Sequence, residues 1–315
     1  LRALPGVAAA EPDRPLRAAA TTANTTLASQ PYLTQIGWTP GLASGSTQLV
    51  AVLDTGVDPD APGLEGRVDV AAARSFVGGD PLRDGEGHGT HVAGLVATVA
   101  GTAGGHAVAR VLPVKIADHT GEATTSSLVR GIRYAVSRSA RVINVSFGGA
   151  GSSPLEQDAI DDAVRAGALV VTAAGNSGGA GSPREYPGAY RQVLAVGAVD
   201  PSGRPVPTST RGPQVALAAP GLNLLSSAPA ALGEYATRTG TSMAAAVVSG
   251  VAARVASARP GLDASQLRQA LVASTGTRGG GTQDLAIGAG VVTLRRALAG
   301  PAPRADRPEP DDDPV

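Results

Sequence analysis

Cysteine is absent from this 315-residue sequence. That absence removes disulfides, thiolate catalysis and Cys-based zinc sites together, and says little about compartment. Aromatic residues are scarce, at 3% against 43% hydrophobic residues in all, so a core has to be packed from Ala, Val, Leu and Ile. There is no excess of charge of either sign. Twenty-six basic and 26 acidic residues give a formal charge of zero, and no electrostatic surface for nucleic acid or anionic lipid is expected. The longest apolar stretches, Val92 to Ala100 and Ala244 to Ala256, read as too short or too interrupted to span a bilayer. The first residue is Leu1, not Met. Read as a processed or truncated product, the chain says nothing of compartment through the lack of a signal peptide.

What is present is organised. Gly (42) and Pro (24) are spread through apolar-periodic segments, which excludes a collagen-like or low-complexity chain. QLVAVLDTG (48–56) is a short apolar run ending in Asp and Gly, the pattern of a buried parallel strand entering a loop. Similar runs recur at 110–117, 141–149, 168–176 and 192–200, and helical stretches at 90–100, 127–139 and 153–167 lie between them. In the last of these Ser153 is placed to cap, with Glu156 three residues on. Such alternation predicts an α/β domain: a doubly wound, mostly parallel central sheet with helices on both faces, as a single domain. Sites in such sheets form at the carboxyl ends of the strands. Residues 1–28, rich in Ala, Pro and Thr, read as an N-terminal extension or pro-segment remnant. Residues 29–300 read as the folded domain, and 301–315 as a Pro-rich, acidic, solvated tail.

Four polar residues stand out at strand or helix ends. Asp54 closes the run Leu49 to Leu53; alone it reads equally as a turn cap, and burial there would require compensating partners. Its DTG also occurs in aspartic proteases, which need a second copy that this chain lacks. His88 opens a helical pattern in DGEGHGTHVAG (84–94). Its spacing from His91 could suggest a metal, but the Glu of an HExxH motif is missing, and His91 reads as structural. His106 and His119 have no motif around them and read as solvated. Ser242, in GTSMAAA, is placed to cap a small-residue helix, or to use the field at that helix start to favour developing negative charge. Asn176 ends ALVVTAAGN and alone is a turn residue.

Together these segments resemble the subtilisin-like serine proteases, or subtilases, with some likeness to the mycosins. VLDTGVD (52–58), GHGTHVAG (87–94), AAGN (173–176) and GTSMAA (240–245) stand in that family's order, and SFGG (146–149), APG (219–221) and AVGAVD (195–200) match as well. The resemblance covers roughly residues 30–298. It implies a subtilisin-like fold and a serine endopeptidase in which Asp54 orients His88, His88 relays the proton of Ser242, Ser242 attacks the carbonyl, and Asn176 with the Ser242 backbone N–H holds the oxyanion. Ser146, Phe147, Gly148 and Gly149 would pair with an extended protein or peptide substrate. It further implies a secreted or otherwise extracytoplasmic enzyme made as a zymogen, expected to be monomeric. Mycosin likeness raises a membrane anchor beyond residue 315, against which the missing cysteines count.

Two departures and one clue refine this. The family's Pro four residues after the nucleophile is Ala246 here, which relaxes the first helical turn and keeps a peptide ligase or cyclase beside the hydrolase reading; an inactive peptide-binding scaffold is the other alternative. The stretch 99–109 is short and lacks carboxylates, so no calcium site is expected there. No cofactor or metal is required, and a weak calcium site elsewhere stays open. In REYPGAY (184–190) the Tyr186-Pro187 step resembles the family's cis-proline turn, which places Glu185 at the base of the primary specificity pocket. A carboxylate there favours Lys or Arg before the scissile bond; turned outward, it would pair with Arg184 or Arg191 instead.

Overall fold

Along Val50-Ala51-Val52-Leu53 successive side chains enter opposite cores: Val50 and Val52 join one buried cluster, Ala51 and Leu53 the other. A strand alternates its side chains at period two, and one covered by helices on both faces must be apolar at every position. The computed structural model describes residues 15–18, 21–22, 30–39, 45–103, 106–275 and 284–300.

In chain order, β1 (Pro15–Ala18) and β2 (Thr21–Thr22) precede the short helix α1 (Pro31–Gln35). Then come β3 (Gln48–Asp54), β4 (Arg74–Ser75) and α2 (His88–Ala100). A small hairpin, β5 (Thr102–Ala103) and β6 (His106–Ala107), leads to β7 (Ala109–Lys115), β8 (Glu122–Thr124) and α3 (Thr125–Ser137). β9 (Val142–Val145), β10 (Phe147–Ala150), α4 (Pro154–Arg165), β11 (Leu169–Ala173) and β12 (Glu185–Tyr186) follow. The chain continues through β13 (Leu194–Val199), β14 (Leu217–Pro220), β15 (Leu224–Ser227), β16 (Tyr235–Thr239), α5 (Thr241–Ala258), α6 (Ala264–Ala273) and α7 (Leu294–Ala299).

The central sheet has the order β14-β13-β11-β9-β3-β7-β4, and every pairing in it is parallel. The α/β single-domain reading holds. Residues of α2, α5, α6 and α7 contribute to the cluster on one face, and residues of α3 and α4 to the cluster on the other. The chain winds outward in both directions from β3, whose neighbours are β7 and β9. That reversal opens a crevice at the carboxyl ends of the strands. Local chemistry sets the helix starts: the Ser153 hydroxyl accepts from the Glu156 N–H at 3.1 Å, and Thr124 and Ser127 cap α3 reciprocally.

The structure departs from the sequence reading in two places. RVINVSFGG is not one strand. Val142–Val145 stays in the central sheet, while Phe147–Ala150 leaves it to pair antiparallel with β12, the break falling at Ser146. Within the N-terminal stretch β1 and β2 pair with the domain; most of residues 1–28, and all of 301–315, lie outside the described residues. Finally, α5 reaches 18 residues with a mean hydropathy of 1.3, long and apolar enough by those measures to cross a membrane, yet 94% of it is buried inside the domain. Small residues let it sit there as the central core helix.

Candidate active site

The strand β3 delivers Asp54 into the crevice with no exposed surface. Its Oδ1 accepts the Thr55 N–H at 2.8 Å and lies 2.7 Å from His88 Nδ1. A carboxylate is the acceptor, so Nδ1 carries the proton and Nε2 presents its lone pair. Close approach of two backbones makes this contact. A Cβ on Gly89 would stand 2.1 Å from the Gly56 carbonyl oxygen and 3.0 Å from Asp54 Cβ, so only glycine lets the first turn of α2 rest on the end of β3.

Asp84 holds that junction together. Its Oδ1 accepts the Thr55 hydroxyl at 2.7 Å and the Gly87 N–H at 2.8 Å. Its Oδ2 accepts the N–H and hydroxyl of Thr90 at 2.8 and 2.7 Å. Thr55 Oγ1 in turn takes the Gly89 N–H at 2.9 Å. A carboxylate at a helix start is favoured by the helix dipole and by unpaired N–H groups. Lys115 donates to the Thr55 carbonyl; burial lowers its ammonium from the usual range, against the pull of Asp84 and Asp54. Glu86 completes the start of α2, accepting the His88 N–H at 2.6 Å and pairing with Arg238 at 3.1 Å.

Ser242 is the second residue of α5 and is fully buried. Its hydroxyl donates to the Ser146 carbonyl at 3.2 Å, and His88 Nε2 has no hydrogen-bond partner. The structure thus joins the Asp54–His88 pair directly, while the hydroxyl points to Ser146. The two sides meet through Phe147, whose ring lies edge-on to the His88 ring with centroids 5.9 Å apart. A buried relay fixes Ser146: Ser249 Oγ donates to Asn144 Oδ1 at 2.8 Å, and Asn144 Nδ2 to Ser146 Oγ at 2.9 Å.

Asn176 follows β11 on the same rim and is half-buried. Its Oδ1 accepts the N–H and hydroxyl of Thr241 at 3.0 and 3.1 Å. An N–H can only donate, so the amide oxygen is committed there, and the NH2 group faces away from Thr241 with its donors.

Glu185 is half-buried on β12, opposite Ala150 of β10. Its carboxylate fills the space that glycine leaves at position 175: a Cβ on Gly175, whose φ is +106°, would stand 2.4 Å from Glu185 Oε1. The Thr210 hydroxyl donates to the same oxygen at 3.3 Å. Neither Arg184 nor Arg191 makes an ion pair with it. The Tyr186-Pro187 bond is cis. Glu185 therefore lies between the AAGN and SFGG strands, where Gly148 and Gly149 are half-buried.

The other histidines are placed otherwise. His91 Nε2 bonds the carbonyls of Leu224 and Ala236 at 3.0 and 3.1 Å. Burial, with the charge of Arg238 and then His88, lowers its pKa to about 3. His106 and His119 are exposed. Among the described residues, no three His, Asp or Glu side chains gather into a group that could hold a metal.

With this geometry in hand, the comparisons with known proteins are decisive. Residues 45–290 match the subtilase family, peptidase family S8. The chain belongs to the subtilase family. It is 39% identical over 239 residues to subtilisin DY of Bacillus licheniformis, covering 74% of this chain and 85% of that one. It is 38% identical over 235 residues to subtilisin amylosacchariticus of Bacillus subtilis subsp. amylosacchariticus, covering 72% of this chain but only 60% of that one. Fervidolysin from Fervidobacterium pennivorans, a keratinolytic enzyme related to subtilisin, superposes with a TM-score of 0.79 at 30% identity, covering 92% of this chain and 52% of that structure. The chain is thus a subtilisin-like serine endopeptidase. In this subtilase Ala246 is buried within an unbroken α5. Sequence reasoning passed over Asp84, Thr55, Thr241 and Asn144. The one signal for Asp84 was its place four residues before His88, in the same motif.

Proposed function

We propose that this chain cuts peptide bonds through Ser242, with His88 as the general base, Asp54 as its orienting partner, and Asn176 with the Ser242 backbone N–H as the oxyanion cradle. The observation that carries the reading is the buried 2.7 Å contact between Asp54 and the inner nitrogen of His88, which leaves Nε2 unpartnered on the ring that packs against Phe147. The reading requires the Ser242 hydroxyl to turn from the Ser146 carbonyl to that lone pair; hydrogen bonds at such sites commonly tighten only when substrate arrives. His88 then takes the proton as Oγ attacks, and returns it to the leaving amine. Thr241 supports the cradle by holding the oxygen of Asn176, which commits the amide donors to the oxyanion.

The carboxylate of Glu185 beneath Gly148 and Gly175 favours Lys or Arg before the scissile bond, through charge-assisted pairing. The substrates are extended segments of proteins or peptides, pairing with the edge of β10. The subtilisins to which the chain is similar suggest work outside the cytoplasm, and the strands that residues 15–18 and 21–22 form on the domain suit manufacture as a zymogen. The test is mass spectrometry of products from a mixed peptide library. Wild type should yield fragments ending mainly in Lys or Arg and Ser242→Ala none. Equal cleavage after Phe and Arg would remove the specificity assignment, and equal products from both proteins would remove the nucleophile.

A further inference from the structure

The turn that carries Glu185 borders a second concavity. Residues 184–193 run through β12 and the cis Tyr186-Pro187 bond to the start of β13. They form one side of a surface pocket of about 590 Å³ that shares no residue with the proposed catalytic site. Arg184, Tyr190 and Arg191 line it from this turn, Gln214 from the loop before β14, and Arg268 from α6. Its lining includes no Asp or Glu.

Three guanidinium groups from the turn and α6 thus share one hollow without a counter-charge. Among the described residues none of the three makes an ion pair. Arg184 and Arg191 are exposed, whereas Arg268 is half-buried between turns of helix anchored by the fully buried Leu267 and Leu271. Its Nε is enclosed without a hydrogen-bond partner, and burial lowers its pKa from the ordinary value. An arginine stays charged even so. Elsewhere the enclosed arginines find acceptors within the protein: Arg238 pairs with Glu86, and Arg141 and Arg254 donate to the carbonyls of Leu262 and Thr39. A partly desolvated cation beside two like charges is unfavourable until an anion joins it.

The chemistry of the wall selects the kind of anion. Each guanidinium presents a planar fork of N–H donors that fits two oxygens of a phosphate-like group. A single carboxylate has too few oxygens and too little charge for three such forks. A tetrahedral dianion has enough of both. The Tyr190 hydroxyl is already committed to the N–H and carbonyl of Ser153 at 2.7 and 2.9 Å, and Gln214 adds only a neutral amide. The geometry points to a binding site for a multivalent tetrahedral oxyanion, phosphate or sulfate, held among Arg184, Arg191 and Arg268. Bound there, the ion would tie α6 to the turn that carries Glu185 and so stabilise the fold. The inference stands independently of the peptidase reading.

Calorimetric titration of the full chain with inorganic phosphate tests it, alongside thermal unfolding in phosphate and in chloride at matched ionic strength. One phosphate should bind per chain with a Kd of about 1 mM or tighter, sulfate should compete for it, and phosphate should raise the unfolding midpoint where chloride does not. Arg268→Met, which keeps the apolar stem, and Arg191→Gln, at an exposed position, should each weaken binding about tenfold or more. Arg74→Gln removes the same charge from β4, at the other edge of the sheet from β14, and should leave the Kd unchanged. If Arg268→Met fails to fold, Arg191→Gln against Arg74→Gln decides. No binding beyond the chloride control, or an equal loss in Arg74→Gln, would overturn the inference, the second by showing general charge attraction only.

Discussion

The two walls of the cleft are built to opposite specifications. On the Asp54–His88 wall, polar groups are buried and held by other parts of the protein: Asp84 alone accepts four hydrogen bonds, and Asp54, Thr55 and His88 have no exposed surface. On the other wall Asn176, Glu185, Gly148 and Gly149 are only half-buried, in keeping with the substrate-facing roles proposed for them. The lesson is one of division. On the proposed reading, groups that keep one geometry are fixed by internal bonds, and groups assigned to peptide recognition are less enclosed. A single polar change on the first wall should therefore cost folding as well as catalysis, and one on the second wall catalysis or selectivity alone.

Asn176→Leu should break the second wall most severely. Turnover is expected to fall by about 10²–10³-fold, the magnitude known for removing this kind of donor in subtilisin itself, with KM nearly unchanged; wild-type turnover would remove Asn176 from the cradle. Asp84→Asn should break the first wall. An amide NH2 would face N–H and hydroxyl donors, destabilising the fold by about 3 kcal/mol with a parallel loss of kcat, as read from urea unfolding and steady-state kinetics. If stability were kept, the junction would not depend on Asp84. Glu185→Gln should sharpen the contrast, reducing the preference for Arg over Phe substrates about tenfold while shifting stability by less than about 0.5 kcal/mol, as for surface substitutions.

His91 offers a smaller and graded test of the buried wall. Its pKa is lowered from 6.5 to about 3 in the fold, so between those values the unfolded chain binds the extra proton. Stability is then fully present above pH 6.5 and is lost as pH falls toward 3, by at most about 1.4 kcal/mol per pH unit. His91→Gln should flatten that part of the stability profile. An unchanged slope would mean that other groups set the acid response.

Much of this fold was legible because parallel strands buried on both faces read as near-continuous apolar runs, as Val50 to Leu53 and Leu169 to Val171 do. The motif positions were legible too, since Asp54, His88, Asn176 and Ser242 all fall at strand or helix ends. What escaped depends on partners distant in sequence. Nothing in RVINVSFGG announces that Ser146 ends one sheet and Phe147 begins another, because the cause is β12, some 40 residues away. Arg74–Ser75 and Leu217–Pro220 are too short to be read as strands without β7 and β13 beside them. Pro15–Ala18 has no pattern of its own and becomes a strand only between β8 and β10. Thr241 drew no notice in the sequence, and only the fold reveals that its N–H and hydroxyl hold the amide oxygen of Asn176.

The central claim is that Ser242, although its hydroxyl rests on a carbonyl, is made nucleophilic by the imidazole that Asp54 holds. Site-resolved labelling with a fluorophosphonate tests it most directly. The account predicts one label per chain on the Ser242 peptide, with the rate lowered at least a hundredfold in His88→Ala. Labelling at another serine, or an unchanged rate without His88, would contradict it.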